Sequence, residues 1–247
     1  MFACSAQRET VDITFVPVWQ DRELDCLEGD KSLSDLRFFV SNVQLIDADG
    51  GVHPVVLTTD ERWQQGSIAL VDLETGDGSC RNGTPATNAQ VRGSVVSIDP
   101  VALRFTVGVP FDMNHANPLL AEAPLNDAAM HWHWRSGYKF LRAGVTTKND
   151  GTWLHLGSTA CDGTVQNIRS CSSPNRVEIA LSDFRSMSGR VAVDLATLFQ
   201  GTDLQDGVRS DCSSGPAESE CGPMFAALGL PFNGADSDIS HVFRLLP

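Results

Sequence analysis

Residues 36–57 read LRFFVSNVQLIDADGGVHPVVL, and this stretch contains the strand pattern that recurs along the chain. Its apolar residues alternate with other residues, with one slip in step: Leu36, Phe38 and Val40, then Val43 and Leu45. A β-bulge at Ser41-Asn42 would produce this slip, because a bulge adds one residue to one strand. Asp49-Gly50-Gly51 is a turn sequence that leads into residues 52–57, so we expect a β-hairpin.

Further strands and a few short helices follow from the same reasoning. Period-two spacing predicts strands at 11–18, 101–109, 176–181 and 190–195. Helical signals are confined to 194–201 and 223–228, each ended by a glycine. Strands separated by loops rich in Gly, Pro, Asn and Asp predict an antiparallel β-sandwich or a distorted barrel, with long disulfide-stapled loops. We expect one β domain over 11–247, after a residual export or lipidation tail over 1–10.

Composition and charge exclude several classes of function. The chain carries 18 basic and 31 acidic residues, a formal net charge of -13. This charge opposes nucleic acids and anionic lipid surfaces and favours cations or a basic partner. No apolar run approaches the length of about 18 residues that a membrane-spanning helix needs. The chain also lacks the GxSxG, HExxH and Walker-type motifs, so nothing in it indicates an enzyme.

Seven cysteines indicate an oxidising compartment. Two pairs close short loops and a third pair remains: Cys161 with Cys171, Cys212 with Cys221, and Cys26 with Cys80. Six cysteines permit many other pairings, so this one is a hypothesis. No pair has the CxxC spacing of a zinc knuckle or a thioredoxin-like site. Because the surrounding sequence is loop-like, we interpret these cysteines as surface disulfides of an exported protein, periplasmic or on the cell surface.

Cys4 is left over from these pairs. Phe2-Ala3-Cys4-Ser5 is similar to the end of a bacterial lipoprotein signal, in which a small residue precedes the cysteine that becomes lipidated. We therefore expect Cys4 to be a lipidation candidate, with the export segment removed before Met1. The alternative is an unpaired thiol in a frayed terminus.

The stretch 130–140, MHWHWRSGYKF, combines aromatic residues with histidines. On a strand, Met130, Trp132 and Trp134 would share one face while His131 and His133 share the other. Two imidazoles on one face are a frequent metal-binding arrangement, although two histidines at a solvent-facing edge would have the same spacing. For the Met and Trp side chains, core packing is the simplest interpretation.

Two further histidines lie near this stretch in the sequence. His115 is in the irregular segment 111–129 that precedes it, and His155 is in the strand sequence 153–156 that follows. If that strand pairs antiparallel through a loop at 148–151, His155 lies near the tryptophans. Imidazole ligands with a thioether nearby indicate copper rather than calcium or magnesium. His155 has an equally simple alternative as a core histidine hydrogen-bonded to the backbone.

Several segments together resemble a known family, the MbnP-like proteins. The matching segments are LSDLRFFVSNVQLIDADG (33–50), LRFTVGVPFDMNHANPL (103–119), PLNDAAMHWHWRSGYKFLR (124–142), HLGSTACDG (155–163), CSSPNRVEI (171–179) and CGPMFAALGLPF (221–232). This family is also called the metallo-mystery pair four-Cys motif proteins and is associated with methanobactin operons and copper handling. The match spans most of the chain in family order, and the MxWxWxxGYKF run is highly specific.

The resemblance implies a secreted or periplasmic, β-rich copper-binding protein with no catalytic turnover of its own. It also implies a partner, a di-haem oxidase related to MauG and cytochrome c peroxidase, which oxidises a tryptophan to kynurenine. Carried over to this sequence, Trp132 and Trp134 are the oxidation candidates, and with His115 and His155 they are the copper-ligand candidates. The four cysteines of the family name correspond to Cys161, Cys171, Cys212 and Cys221. The resemblance assigns no role to His131 or His133.

Two alternatives from other classes stay open. One is a β-sandwich carbohydrate-binding or adhesion module, in which tryptophans stack on the ligand and the histidines are structural. The other is a metalloenzyme that uses His131 and His133, which lacks any evident nucleophile, general acid or third ligand nearby. The oligomeric state is not determined by the sequence.

Overall fold

β-Strands dominate the computed structural model of the chain, in which strand accounts for 49% and helix for 8%. The structure describes residues 7–27, 29–148, 150–164, 167–202, 211–235 and 238–247. The first strand already begins at Arg8. Cys4, the lipidation candidate, lies outside the described residues. The prediction of a mostly β protein with a few short helices is confirmed.

The elements are short except for two long strands. The strands are β1 (Arg8–Trp19), β2 (Arg22–Glu23), β3 (Ser32–Asp47), β4 (Val52–Pro54), β5 (Val56–Leu57), β6 (Gln64–Gln65), β7 (Ile68–Asp72), β8 (Gln90–Val96), β9 (Pro100–Val107), β10 (His131–His133), β11 (Gly137–Thr146), β12 (Gly151–Gly157), β13 (Thr159–Thr164), β14 (Asn167–Ser173), β15 (Val177–Ser182), β16 (Ser188–Asp194) and β17 (Phe243–Leu246). The helices are α1 (Phe111–Asn114), α2 (Leu195–Leu198) and α3 (Cys221–Ala227), with a 3-10 turn at Pro118–Leu120. Among the described helices, none has the length and apolar character needed to cross a bilayer.

The strands form two large sheets and one separate hairpin. The first sheet has the order β17-β16-β1-β8-β5, with β2 beside β1. The second follows β10-β11-β3-β7-β6, and β12, β4, β9 and β15 extend it from β11, β3 and β9. The hairpin is β13-β14. The described strands form a sandwich and no closed barrel. Among the described strands every pair is antiparallel except β1 with β16, which is parallel and was not expected.

The hairpin predicted at 36–57 is present, with a change of sheet at its end. Asn42 has a φ of 53°, and the pairing of β3 with β9 shifts register between Ser41 and Gln44, which confirms the bulge. β4 pairs with β3, whereas β5 pairs with β8 of the other sheet. Pro54 ends β4, and a proline cannot donate a ladder hydrogen bond, so the chain leaves the sheet there. The predicted strand 52–57 is therefore two strands.

The main core lies between the two sheets. Phe15, Phe38 and Phe105 are at most 1% exposed and meet edge to face, with ring centroids 5.1 and 5.6 Å from that of Phe15. Each such burial contributes roughly 1.5–3 kcal/mol. A second, smaller cluster lies on the other face of the second sheet and includes Phe39, Met130, Tyr138 and Phe140. Met130 is fully buried there, so the core interpretation of this residue is correct.

Three disulfides cross-link the fold, and all three predicted pairs are present: Cys26–Cys80, Cys161–Cys171 and Cys212–Cys221. Cys161 and Cys171 face each other directly across β13 and β14. The segment around Cys212 lies along the outer edge of β12, and its disulfide ties α3 to that edge. Two of the three cross-links therefore lie beside the strand that carries His155.

Candidate metal centre

Trp132 and His155 face each other on the second sheet. Their ring centroids are 6.5 Å apart and the ring planes are inclined by 80°. β10 and β12 flank β11 on opposite sides, so the indole has to reach across β11. Gly157 makes room for it, because a Cβ added there would lie 3.0 Å from Cε3 of Trp132. The structure thus places the predicted His155 beside one of the two predicted tryptophans.

His155 is held in place by its backbone and kept neutral by its surroundings. Its N–H donates to the carbonyl of Cys212 at 2.8 Å, and its carbonyl accepts from Oγ of Ser214 at 2.8 Å. Burial, together with the positive charges of Arg142 and Lys139, lowers the pKa of His155 to about 4. At neutral pH the imidazole is therefore uncharged, which is the form that binds metals.

The side chains of β12 alternate as the sequence predicts. Leu154 and Leu156 are fully buried in the main core, while Trp153 and His155 are half-buried on the opposite face. There they line an open cleft of about 360 Å³ together with Asp35 and Arg142. The outer face of the second sheet is therefore the face on which His155 can meet a ligand.

A buried ionic network underlies this cleft. Nε of Arg142 donates to Asp35 at 2.8 Å, and Arg37 donates to Glu74 at 2.6 Å, with side chains at most 10% exposed. Arg37 also lies 3.4 Å from a carboxylate oxygen of Asp72. Buried charges that are paired in this way resist separation, because removing one partner leaves the other desolvated.

Burial favours the protonated form of two carboxyl groups in this network. Burial, together with the adjacent Glu74 carboxyl, raises the pKa of Asp35 to about 8. Burial also raises the pKa of Asp72 to about 6. Sequence reasoning missed the network, although a signal exists: Asp35 and Arg37 alternate within residues 33–41, whose other residues are apolar or serine. Charged residues inside a buried strand require partners.

His115 lies immediately after α1, and Asn114 fixes its position. The side chain of Asn114 accepts the N–H of Tyr138 at 2.8 Å and donates to the carbonyl of Ser136 at 3.0 Å. Gly137 admits this close approach, since its φ is +79° and a Cβ there would lie 2.3 Å from the Asn114 carbonyl oxygen. The loop that carries His115 is therefore anchored to the β10-β11 hairpin.

The imidazole of His115 has one nitrogen engaged and one buried without a partner. Nε2 lies 3.4 Å from Sγ of Cys171 and 3.2 Å from the amide nitrogen of Asn114. Nδ1 is buried with no hydrogen-bond partner. A disulfide sulfur has no proton and would need N–H at Nε2, whereas the Asn114 amide is a donor and needs a lone pair at Nε2, so the two contacts require opposite tautomers. Burial lowers the pKa of His115, which favours the neutral imidazole with a lone pair on one of its two nitrogens.

His115 is in the same region but not in contact with the other two residues. Among the described residues, His115 shares no hydrogen bond or ring contact with Trp132 or His155. Asn175 donates to the carbonyl of Gly157 at 2.8 Å, which ties the segment after β14 to the end of β12, and His115 lies against Cys171 of β14. The structure thus assembles the pair Trp132 and His155 and places His115 on a neighbouring loop.

Trp134, His131 and His133 have other neighbours. The guanidinium of Arg135 lies 4.9 Å from the ring centroid of Trp134, and the ring of His133 lies 5.5 Å away. His131 packs edge-on against Tyr138 at 5.4 Å. The pairing of β10 with β11 is irregular between His131 and His133, so simple alternation fails at this point. The two histidines therefore do not form a common ligand set with a third donor in the described part of the chain.

Comparison with known proteins gives the family. The sequence model of MbnP matches residues 8–214. The chain belongs to the MbnP family. Its structure is similar to that of MbnP from Methylosinus trichosporium, with a TM-score of 0.80 and 26% sequence identity over 97% of this chain and 98% of that chain. No curated protein sequence matches the chain. MbnP membership supports association with a methanobactin operon and export, as the sequence resemblance implied.

Proposed function

We propose that this MbnP-family chain is a periplasmic copper-binding protein and the protein substrate of a di-haem oxidase. In this proposal the oxidase converts Trp132 to kynurenine, and the modified residue then binds copper with His155 and His115. The observation that carries the proposal is the contact between the rings of Trp132 and His155. The protein has no catalytic turnover of its own and serves copper scavenging, storage or delivery.

Trp132 is favoured over Trp134 by its electrostatic surroundings. Removing an electron from an indole leaves a positive charge on the ring, which a nearby cation destabilises. Trp134 has the guanidinium of Arg135 over its ring at 4.9 Å. Trp132 instead faces His155, which is neutral at pH 7 because its pKa is lowered to about 4. Arg142 and Lys139 lie near that imidazole, but among the described residues no cation lies over the indole of Trp132. Trp132 is also half-buried, so water and a redox partner can both reach it.

The available donors fit copper. His155 and His115 both present neutral imidazoles, and Nδ1 of His115 is a buried nitrogen that lacks any partner. A buried polar atom without a hydrogen bond costs about 1–3 kcal/mol, which metal binding would offset. Kynurenine would add an aromatic amine, a third nitrogen donor of the kind that copper accepts.

The formal net charge of -13 fits a basic docking surface on the oxidase. The β10-β11 hairpin would face the oxidase, because it carries both candidate tryptophans and both are half-buried. Attachment to a membrane through Cys4 remains part of the proposal for localisation.

Coexpression with the di-haem partner tests the proposal. Intact mass and peptide mapping should show one oxygen gained and one carbon lost at Trp132, and the purified protein should retain copper after dialysis. Trp132→Phe should abolish both the mass change and the retention of copper, whereas Trp134→Phe should leave both unchanged. His155→Ala should remove copper while the fold is kept, and His131→Ala is the matched control. Unmodified tryptophans together with no copper uptake, or equal copper losses in His155→Ala and His131→Ala, would contradict the proposal.

A second candidate function rests on Trp153. This residue lines the 360 Å³ cleft and also a neighbouring cleft of about 700 Å³, and Ser34 and Asn82 lie in both. An aromatic face beside hydroxyl and amide groups is typical of carbohydrate sites. Quenching of Trp153 fluorescence by simple sugars, lost in Trp153→Phe and unchanged in Trp132→Phe, would favour this function.

A further inference from the structure

The β13-β14 disulfide lies beside an imidazole in a way that resembles a metal site. The donor atoms of His115, Cys161 and Cys171 all lie within 4.8 Å of one another. In the structure the two sulfurs are bonded to each other, and thiolates rather than disulfides are the sulfur ligands of metals. We propose that reduction of Cys161–Cys171 creates a second metal site, formed by two thiolates and His115, for a thiophilic ion such as Cu(I). This inference does not depend on the proposed function.

The distances between these donor atoms match those between a sulfur ligand and a nitrogen ligand bound to one metal ion. Bonds of about 2.3 Å to sulfur and about 2.1 Å to nitrogen, meeting near the tetrahedral angle, separate the two ligand atoms by about 3.6 Å. Nε2 of His115 lies 3.4 Å from Sγ of Cys171. The same arithmetic separates two thiolates on one metal by about 3.8 Å. Opening the disulfide therefore requires only that the sulfurs move apart from bonding distance.

The surrounding backbone holds all three residues without the disulfide. Cys161 and Cys171 are directly opposite in the β13-β14 ladder, so their side chains stay on one face of the hairpin. His115 is held separately, since Asn114 is hydrogen-bonded to the β10-β11 hairpin at Tyr138 and Ser136. Reduction thus removes one covalent bond and leaves the ligand positions in place.

Solvent exposure favours reduction of this disulfide over reduction of the other two. Cys171 is half-buried, whereas both cysteines of each other disulfide are at most 3% exposed. A dithiol reductant attacks one sulfur as a thiolate, the sulfur–sulfur bond breaks, and the second thiol releases the mixed disulfide as the reductant becomes oxidised. Cys161 and Cys171 each gain one proton. Binding of Cu(I) to the two thiols then releases two protons.

The other disulfides serve as internal comparisons. The polar contacts given by Sγ of Cys26 and Sγ of Cys80 are with backbone carbonyls, those of Leu73 and Leu33. Cys212–Cys221 has the carboxylate of Glu218 as a third donor, but its cysteines are 2% and 0% exposed. Only the β13-β14 disulfide combines an imidazole with a half-exposed sulfur among the described residues.

The experiment uses full-length protein made without the oxidase and carrying Trp132→Phe and His155→Ala, so that the copper site of the proposed function is disabled. Limited dithiothreitol treatment, alkylation and peptide mapping identify the opened disulfide. Anaerobic titration with Cu(I) against a chromophoric Cu(I) chelator then measures binding. We expect one additional equivalent of Cu(I) after reduction, with new ultraviolet absorption from sulfur-to-copper charge transfer.

Variants identify the residues that bind the additional equivalent of Cu(I). Adding Cys161→Ser with Cys171→Ser should abolish binding of the additional Cu(I). Adding Cys212→Ser with Cys221→Ser should leave that binding unchanged. His115→Ala should weaken it about tenfold or more, because outer partners of ligands alone contribute that much. The inference is overturned if reduced Cys161 and Cys171 bind no additional Cu(I), if the Cys161/Cys171 variant keeps the extra equivalent, or if another disulfide opens first. None of these outcomes bears on Trp132 or His155.

Discussion

Replacing Gly157 by alanine would place a methyl group where the ring of Trp132 now lies. The added Cβ would be 3.0 and 3.1 Å from Cε3 and Cζ3 of Trp132 and 2.8 Å from the carbonyl oxygen of Tyr138. Favourable contacts between non-bonded heavy atoms lie near about 3.5 Å or beyond. The backbone oxygen belongs to a paired strand and cannot withdraw easily, so the indole has to move away from His155.

The expected loss of stability follows from adding one methyl group to a closely packed site. Inserting one methyl group into a closely packed site destabilises a protein by about 1–3 kcal/mol. We expect Gly157→Ala to lower the free energy of unfolding in urea by this amount. We also expect less oxidation of Trp132 when the di-haem partner is coexpressed, because the indole no longer faces His155.

Gly144→Ala is a matched control on the neighbouring strand. Its Cβ would lie 2.5 Å from Cδ1 of Trp153 and 2.7 Å from Oγ of Ser34, so it displaces a different tryptophan at a similar cost. The chain has five tryptophans, whose indole N–H signals can be followed by nuclear magnetic resonance and assigned with Trp132→Phe. Gly157→Ala should shift the Trp132 signal most. If that signal stays in place, or if Gly144→Ala moves it equally, our account of how Gly157 seats Trp132 is wrong.

Two further predictions concern charge. Arg37→Ala removes the arginine that donates to the fully buried Glu74 at 2.6 Å and leaves it only the more distant Arg142 at 3.9 Å, so it should destabilise the protein by about 3–5 kcal/mol in urea unfolding. Arg169→Ala removes an exposed ion pair and should cost less than about 1 kcal/mol, and equal losses would contradict the role of the network. The folded-state pKa of His155, about 4, lies below its ordinary 6.5, so its stabilising contribution is complete above pH 6.5 and is lost as the pH falls towards 4. The imidazole proton signals should titrate near pH 4, and Lys139→Met should raise the midpoint because a neighbouring positive charge is removed; an unperturbed midpoint near 6.5 would refute this.

Local sequence patterns predicted strands because many of them bury one face, as the alternating burial along β8 and β15 shows. The slip at Ser41-Asn42, the turn at 49–51 and the two short-loop disulfides, Cys161–Cys171 and Cys212–Cys221, follow from residues close together in sequence. Cys26–Cys80 was predicted as the pair that remained. The parallel pairing of β1 with β16 did not follow, since alternation identifies a strand but not its neighbour. The change of sheet after Pro54 was also missed, although the proline was a signal for it.

The candidate centre was predictable in part. His155 could be placed near the tryptophans because the hairpin at 148–151 fixes how β12 returns along β11. The alternation within 130–134 did not hold, because β10 is only three residues long and irregular, so His131 and His133 find different neighbours. The ionic network around Asp35 was missed because its partners are far apart in sequence and meet only in the folded sheet.

The parallel pairing of β1 with β16 also determines which strand pairs can form first during folding. Val16 lies beside Ala192, so the two residues are separated by most of the chain. β1 can pair with β8 early, but its other edge has no partner until residues 188–194 have been synthesised. Contacts between such distant segments slow folding, because a long loop has to close before they form. Until that moment β1 presents an open edge to other chains, and a chaperone or rapid completion of the chain is the means to protect it.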